Sequence, residues 1–371
     1  MTSSPHAEIT FDVRPSPSPV PRADRERMLE APGFGQLFTD HMVTIRWTAE
    51  AGWHDARVEP YGPLTLDPST SVFHYAQEFF EGLKAYRQPD GSVAIFRPWA
   101  NAARFNGSGR RLVMPELPEE TFVRALELLV SADRDWVPST EDHSLYLRPF
   151  MIATQRGIGI SKPSQSYLFL VIASPAGPYF PGGIKPVTVW LSQDYIRAAP
   201  GGTGETKCGG NYAAGFIGQI QALEHGCDQV VWLDATERRW VEEMGGMNMF
   251  FVYGSGPEAR IVTPALGGTT LAGITRDSLL KLAPDHGIPA DEGRISVDDW
   301  REGCASGQLT ETFACGTAAA VTPVGAVKST LGGWTVGDGA PGPVTLRLRD
   351  ELLGIQSGRR GDPYGWLHQV G

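Results

Sequence analysis

Lysine is scarce in this chain. Six lysines, Lys84, Lys162, Lys185, Lys207, Lys281 and Lys328, stand among 32 basic residues, so the cationic surface is mainly arginine. Cysteine is scarcer: Cys208, Cys227, Cys304 and Cys315 form neither a CxxC pair nor a metal-ligand cluster, which argues against a disulfide framework and a cysteine-held metal. No apolar run reaches a membrane span, "SYLFLVIASP" being typical of the longest, and the first residues lack the charged-then-apolar order of an export signal. A cytoplasmic protein with no membrane partner is expected. The net charge of −10 excludes a general nucleic-acid binder but leaves room for a local cationic pocket. The expected partners are therefore small molecules.

What is present is enough apolar sequence, 41% of 371 residues, for two ordinary domains. The prolines and serines of "RPSPSPVPR" cannot build a core, so residues 1–32 are expected to form an extended or disordered arm. Two strand-like runs around Pro89-Asp90-Gly91 predict a hairpin, and "PEETFVRALELLVSADRDW" has helical spacing with acids in its first turn. "SLYLRPFMIAT", "SYLFLVIASP", "VTVWLS", "QVVWLDA", "MNMFFVY" and "RIVTP" read as strands, with helices beginning near Asn211, Ile274, Val297 and Val344. The Pro/Gly cluster "PAGPYFPGGIKP" places an interdomain loop at 177–187. A smaller domain over 33–176 and a larger one over 188–371 follow, each of mixed α and β layers, giving an α+β fold class.

Most of the lysines are explained by their surroundings. Lys162 and Lys185 precede prolines in loop-like segments, and Lys281 fits a polar helix face. Lys207, in "ETKCGGNYAAG", is different: glycines at 201, 202, 204, 209 and 210 allow close approach to a ligand, ahead of a helix whose first N–H groups lack intrahelical partners. Composition alone leaves two readings, a solvated loop lysine or a desolvated amine that forms a Schiff base with a carbonyl cofactor. A phosphate-binding loop of the type GxxxxGK[ST] is a third pattern to test. It fails at Thr206, where the last glycine belongs, and at Cys208, where a metal-binding hydroxyl belongs.

"GETKCGGNYAAG", followed by "QALEHGCDQVVWLD" and "VEEMGGMNMFFVY", resembles the branched-chain amino-acid aminotransferases, pyridoxal-phosphate enzymes of fold type IV. "FHYAQEFFEGLKAYR", "FRPWANAAR", "LYLRPF", "GPYFPGG", "LAGITRDSLL" and "ACGTAAAVTPV" occur in the family's order, and "HYAQEFFEGLKAY" is most similar to its actinobacterial branch. The resemblance implies reversible transfer of the amino group of L-leucine, L-isoleucine or L-valine to 2-oxoglutarate. Lys207 would be the Schiff-base lysine and the proton carrier. Tyr212 would donate to the cofactor's phenolic oxygen, and Glu243 would meet the pyridine nitrogen. Adjacent residues of a strand face opposite ways, so Glu242 is left for solvent or a structural contact.

For the phosphate, the resemblance implies Arg104 and Arg197, Ile274 and Thr275 at a helix start, and Thr317 in a glycine-led turn. Thr275 also reads as a plain helix cap. Ala318 and Ala319 would offer N–H groups to the substrate carboxylate. Tyr75, Phe80, Tyr146 and Tyr179 match the apolar pocket, and Arg148 matches the arginine that meets the distal carboxylate of glutamate. An apolar wall with one arginine at its rim can serve leucine and glutamate alike, if water or a tyrosine hydroxyl satisfies the arginine when leucine is bound. A homodimer is implied as well. In place of the CxxC pair of vertebrate members stand Ala319 and Thr322, so thiol regulation is not carried over, and Cys208 and Cys315 receive no role. D-amino-acid aminotransferase and aminodeoxychorismate lyase would share Lys207 and Glu243, and "LYLRPF" and "GPYFPGG" argue against them.

Overall fold

The computed structural model describes residues 9–178 and 183–371. Contacts divide the chain into two compact units, Met1–Gly177 with Tyr364–Gly371 and Pro178–Pro363. Among the described residues no helix is long and apolar enough to cross a membrane.

The first unit begins with β1 (Phe11–Val13) and α1 (Arg22–Glu30), followed by β2 (His41–Thr48) and β3 (Gly52–Pro60). The expected disordered arm is therefore ordered from residue 9 onward. It needs little core because its backbone donors find acceptors elsewhere: β1 pairs in parallel with β3, Ser16 N–H donates to His41 Nε2 (2.8 Å), and Val20 N–H donates to Asp40 Oδ1 (2.8 Å). Helix α1 buries none of its residues and is held by the Arg25–Asp135 ion pair at 2.6 Å.

After α2 (Val72–Tyr75) and β4 (Glu78–Phe80), strands β5 (Leu83–Arg87) and β6 (Val93–Phe96) form the hairpin expected around Pro-Asp-Gly, with Asp90 Oδ1 accepting from Ser92 N–H at 2.9 Å. Helices α3 (Pro98–Arg111) and α4 (Glu119–Ala132) follow. On α4 the buried Phe122, Val123, Leu126, Leu129 and Val130 recur at helical spacing, with Glu119 and Glu120 in the first turn. The long central strands are β7 (Ser144–Ala153) and β8 (Ser166–Ala176). In the later part of β7 buried and half-buried residues alternate, so Tyr146 and Arg148 share one face.

The second unit contains β9 (Val187–Ser192), α5 (Gly209–Glu224), β10 (Gln229–Leu233), β11 (Val241–Met244), β12 (Met247–Tyr253), β13 (Arg260–Pro264), α6 (Ile274–Asp285), β14 (Ala290–Gly293), α7 (Val297–Ser306), β15 (Leu309–Gly316), β16 (Ala320–Ser329), β17 (Gly332–Thr335) and α8 (Pro343–Gln356). Its sheet runs β11-β10-β9-β16-β15-β12-β13-β14, and the pairing of β11 with β12 closes the first six strands into a ring. A closed ring has no free edges and fixes the ends of its strands, where the polar residues of the next section lie. Val189, Val231, Met244, Phe251 and Trp300 belong to its buried core.

The last strand, β18 (Leu367–Val370), returns to the first unit and pairs antiparallel with β6. The expected continuous domain over 188–371 is corrected here. Strand β6 would otherwise present an unpaired edge, and the C-terminal residues cover it.

Helix α8 is capped from outside its own sequence. Its N-cap Gly342 offers no side chain, and buried Glu311 of β15 accepts instead from Val344 N–H (3.0 Å), Thr345 N–H (2.8 Å) and the Thr345 hydroxyl (2.7 Å). An anionic acceptor at a helix N-terminus also meets the positive end of its dipole. Glu311→Ala is expected to lower stability by about 2–3 kcal/mol, read as the shift in the urea unfolding midpoint. An unchanged midpoint would show that this cap does not contribute.

Candidate active site

Lys207 lies between a glycine-rich loop and α5. The loop is held by Asn211 in the helix's first turn, whose Nδ2 donates to Thr203 O (2.8 Å) and Thr206 O (2.9 Å), while the Thr203 hydroxyl donates to Asn211 Oδ1 (2.8 Å). Gly204 is required by close approach, since a Cβ there would fall 2.3 Å from Thr269 O. The half-buried Lys207 ammonium donates to the Tyr212 hydroxyl at 2.8 Å. The five-residue spacing read in the sequence thus becomes a direct contact.

Glu243, on β11, is almost completely buried. Its Oε2 lies 2.9 Å from Arg197 Nε, and its Oε1 accepts from Leu271 N–H at 2.8 Å and from Asn248 Nδ2 at 3.3 Å. The rest of the Arg197 fork is turned to backbone: Nη1 donates to Gly204 O (3.1 Å) and Thr269 O (2.9 Å). Arg197 was expected on the phosphate side. The structure places it against Glu243, because a buried carboxylate requires a counter-charge nearby. One guanidinium thereby joins the Lys207 loop, the loop leading to α6 and the Glu243 strand.

Glu242 takes the structural contact of its two expected alternatives, accepting from the Thr269 hydroxyl at 2.5 Å. Burial foremost, and after it the neighbouring charge of Glu243, raises its carboxyl above the usual range, against the opposing effect of the Thr269 hydroxyl.

Helix α6 starts immediately after this clamp. Its N-cap is Gly273, so Thr275 lies inside the first turn, buried, and is not the cap residue. Residues 317–319 join β15 to β16, with Ala319 buried. Cys315 pairs with Asn248 across β15 and β12, so this turn leaves the sheet beside the strand end that carries Asn248. Lys207, Tyr212, Arg197, Glu243, Ile274, Thr275, Thr317, Ala318 and Ala319 all belong to the second unit.

The first unit holds Tyr75, Phe80, Arg104, Tyr146 and Arg148. Arg148 is packed between aromatic faces, its guanidinium carbon 4.5 Å from the Phe80 ring centroid and 5.3 Å from that of Tyr146, and its Nη2 donates to the Tyr146 hydroxyl at 3.1 Å. Phe80, Tyr146 and Arg148 therefore form one cluster. Phe34 meets the Tyr146 ring edge-on at 5.1 Å, a contact not expected from the sequence. Tyr75 donates its hydroxyl to the carbonyl of Ile158. Arg104 meets both oxygens of Glu81, Nε at 2.7 Å and Nη2 at 2.8 Å, and Asn101 Nδ2 donates to the same fully buried carboxylate at 2.7 Å. Glu81 gave no sequence signal beyond its place in "FFEGL". Tyr179 lies outside the described residues.

Cys208 and Cys315 are buried thiols, and burial raises the Cys315 thiol far above its ordinary range. Among the described residues no group of three or more His, Cys, Asp or Glu side chains could hold a metal ion.

The amino-transferase class IV family profile matches residues 78–327. A probable branched-chain-amino-acid aminotransferase of Streptomyces coelicolor is 58% identical over 97% of this chain and 99% of its own. The branched-chain-amino-acid aminotransferase of Mycolicibacterium smegmatis is 58% identical over the whole of both chains. Among solved structures, the branched-chain amino acid aminotransferase from Escherichia coli superposes with a TM-score of 0.69 at 27% identity, covering 89% of this chain and 99% of that one. A second solved branched-chain amino acid aminotransferase, with pyridoxamine 5'-phosphate, superposes with a TM-score of 0.71 at 28% identity, covering 88% of this chain and 98% of that one. The agreement spans both units and includes the segments that carry the lysine and the buried glutamate. On these grounds the chain belongs to the class IV aminotransferases, among their branched-chain-amino-acid members.

Proposed function

We propose that this pyridoxal-phosphate-dependent transaminase moves the amino group of L-leucine, L-isoleucine or L-valine reversibly to 2-oxoglutarate, with Lys207 as its covalent and proton-carrying residue. The observation that carries the reading is the 2.8 Å contact of Lys207 Nζ with the Tyr212 hydroxyl, in the same unit as the buried Glu243–Arg197 pair. The donor set fits the cofactor: an amine, a buried carboxylate and a helix N-terminus correspond to an aldehyde, a ring nitrogen and a phosphate. Pyridoxal phosphate, when bound, supplies an aldehyde for the amine and a ring that accepts electrons from the substrate's α-carbon.

In this reading Lys207 Nζ takes the α-proton and returns it on the other side of the reaction, with the Tyr212 hydroxyl orienting the amine. Glu243, fixed by Arg197 and Leu271 N–H, keeps a proton on the ring nitrogen. Ile274 and Thr275 at the start of α6, with the Thr317 hydroxyl, hold the phosphate. Ala318 and Ala319 offer backbone N–H groups to the substrate carboxylate. Phe80, Tyr146, Tyr75 and Tyr179 are assigned to the apolar side-chain pocket. Arg148 takes the distal carboxylate of glutamate, and the Tyr146 hydroxyl gives its Nη2 a partner when the substrate is apolar. For Arg104 as a phosphate cation the support is the family resemblance, since Glu81 already meets two of its nitrogens.

A homodimer completes the proposal. On α5, Phe216, Ile217, Ile220 and Leu223 are exposed at helical spacing, and Phe216 is 68% exposed. Contiguous apolar surface of this kind favours burial against a second copy. A cytoplasmic location is proposed too, supported by four unpaired cysteines.

Lys207→Ala is expected to retain cofactor binding while turnover of L-leucine with 2-oxoglutarate falls by at least about 10²–10⁴-fold. Normal turnover in that variant would reject the assignment. Arg148→Ala should lower kcat/KM for glutamate about tenfold or more and that for leucine much less; equal losses would count against its carboxylate role. Ile220→Asp combined with Leu223→Asp should convert a sedimenting dimer to monomer, and an unchanged sedimentation coefficient would remove α5 from the interface.

A further inference from the structure

Asn248 is the second residue of β12 and is 7% exposed. Its Nδ2 has two hydrogens and two acceptors, Leu271 O at 2.9 Å and Glu243 Oε1 at 3.3 Å. Its Oδ1 lies against Gly273, the N-cap of α6, so closely that a Cβ on Gly273 would fall 1.9 Å away. Leu271 N–H donates to the same Glu243 oxygen at 2.8 Å. A single neutral amide therefore touches the buried carboxylate, the loop that follows it in space and the first turn of the helix.

We propose that Asn248 is a positioning residue that fixes Glu243 to the N-terminus of α6, setting the separation between the carboxylate and the anion-binding helix start. The inference rests on the reading above, in which Glu243 serves the cofactor ring and α6 its phosphate. A neutral donor suits this position. It orients the carboxylate without adding the counter-charge that Arg197 already supplies. Aspartate at 248 would lose both donations and set a second negative charge against Glu243. Alanine would leave the Leu271 carbonyl, in a buried residue, without this donor.

The test compares binding of pyridoxal phosphate and of pyridoxal, which lacks the phosphate, to apoprotein of the wild type, Asn248→Ala and Asn248→Asp, by tryptophan fluorescence. It adds a pH titration of the visible band of the loaded proteins. If Asn248 sets the separation, the wild-type preference for the phosphorylated form shrinks by about tenfold or more, and the midpoint of the band titration moves. A purely structural role would lower the apoprotein's melting temperature while leaving both readouts in place. Preference and titration retained in full by either variant that folds would overturn the proposal alone; Asn248→Asp keeps the side-chain shape if the alanine variant fails to fold. A wild-type protein that binds the two compounds equally would overturn the phosphate reading of α6, and this proposal with it.

Discussion

Burying the guanidinium of Arg197 obliges the fold to surround it with acceptors, and the three it finds lie on three different segments. Glu243 belongs to a strand, Gly204 to the loop before Lys207 and Thr269 to the loop before α6. None is held by sequence neighbourhood, so the ion pair and its two carbonyl bonds bring the amine, the carboxylate and the helix start into one constellation. Breaking one side of such a pair leaves an uncompensated buried charge, on the order of 3–5 kcal/mol. The closed ring of strands supplies the rigid support, because β11 and β12 are paired to each other where Glu243 and Asn248 face across the ladder.

Arginine is used in two contrasting ways. Arg197 and Arg104 each have a buried carboxylate as a permanent partner. Arg148 is seated between the Phe80 and Tyr146 rings and bonded to a neutral hydroxyl. Aromatic faces and a hydroxyl stabilise a cation without cancelling its charge. Such an arginine keeps its attraction for a carboxylate while its Nη2 retains the Tyr146 hydroxyl as a partner.

Much of this was legible in the sequence where the signal is local. Helix α4 announced itself by apolar spacing, and the β5–β6 hairpin by Pro-Asp-Gly. Strand alternation set Glu242 and Glu243 on opposite faces, the family resemblance chose Glu243, and Lys207 stood out because lysine is rare and its neighbours are glycines. The residues that escaped act across long separations. Glu81, Asn248 and Phe34 have no local period or turn chemistry; contacts such as Glu81–Arg104 and Asn248–Leu271 each join residues 23 apart. The place of Arg197 followed from the same non-local geometry. The arm was misread because composition measures the capacity to form a core, whereas this segment is held by acceptors on β2 and beside it. The four-residue β18 is too short for its pattern to reveal which edge it joins.

That last strand has a consequence for how the protein is made. The second unit is one uninterrupted stretch, but the first is assembled from residues at both ends of the chain. A ribosome delivers β6 early, while its partner β18 is made only after the whole of the second unit. Through most of synthesis β6 therefore has an open edge, able to pair with another nascent chain. Covering that edge has to wait until the segment beyond the second unit has been made.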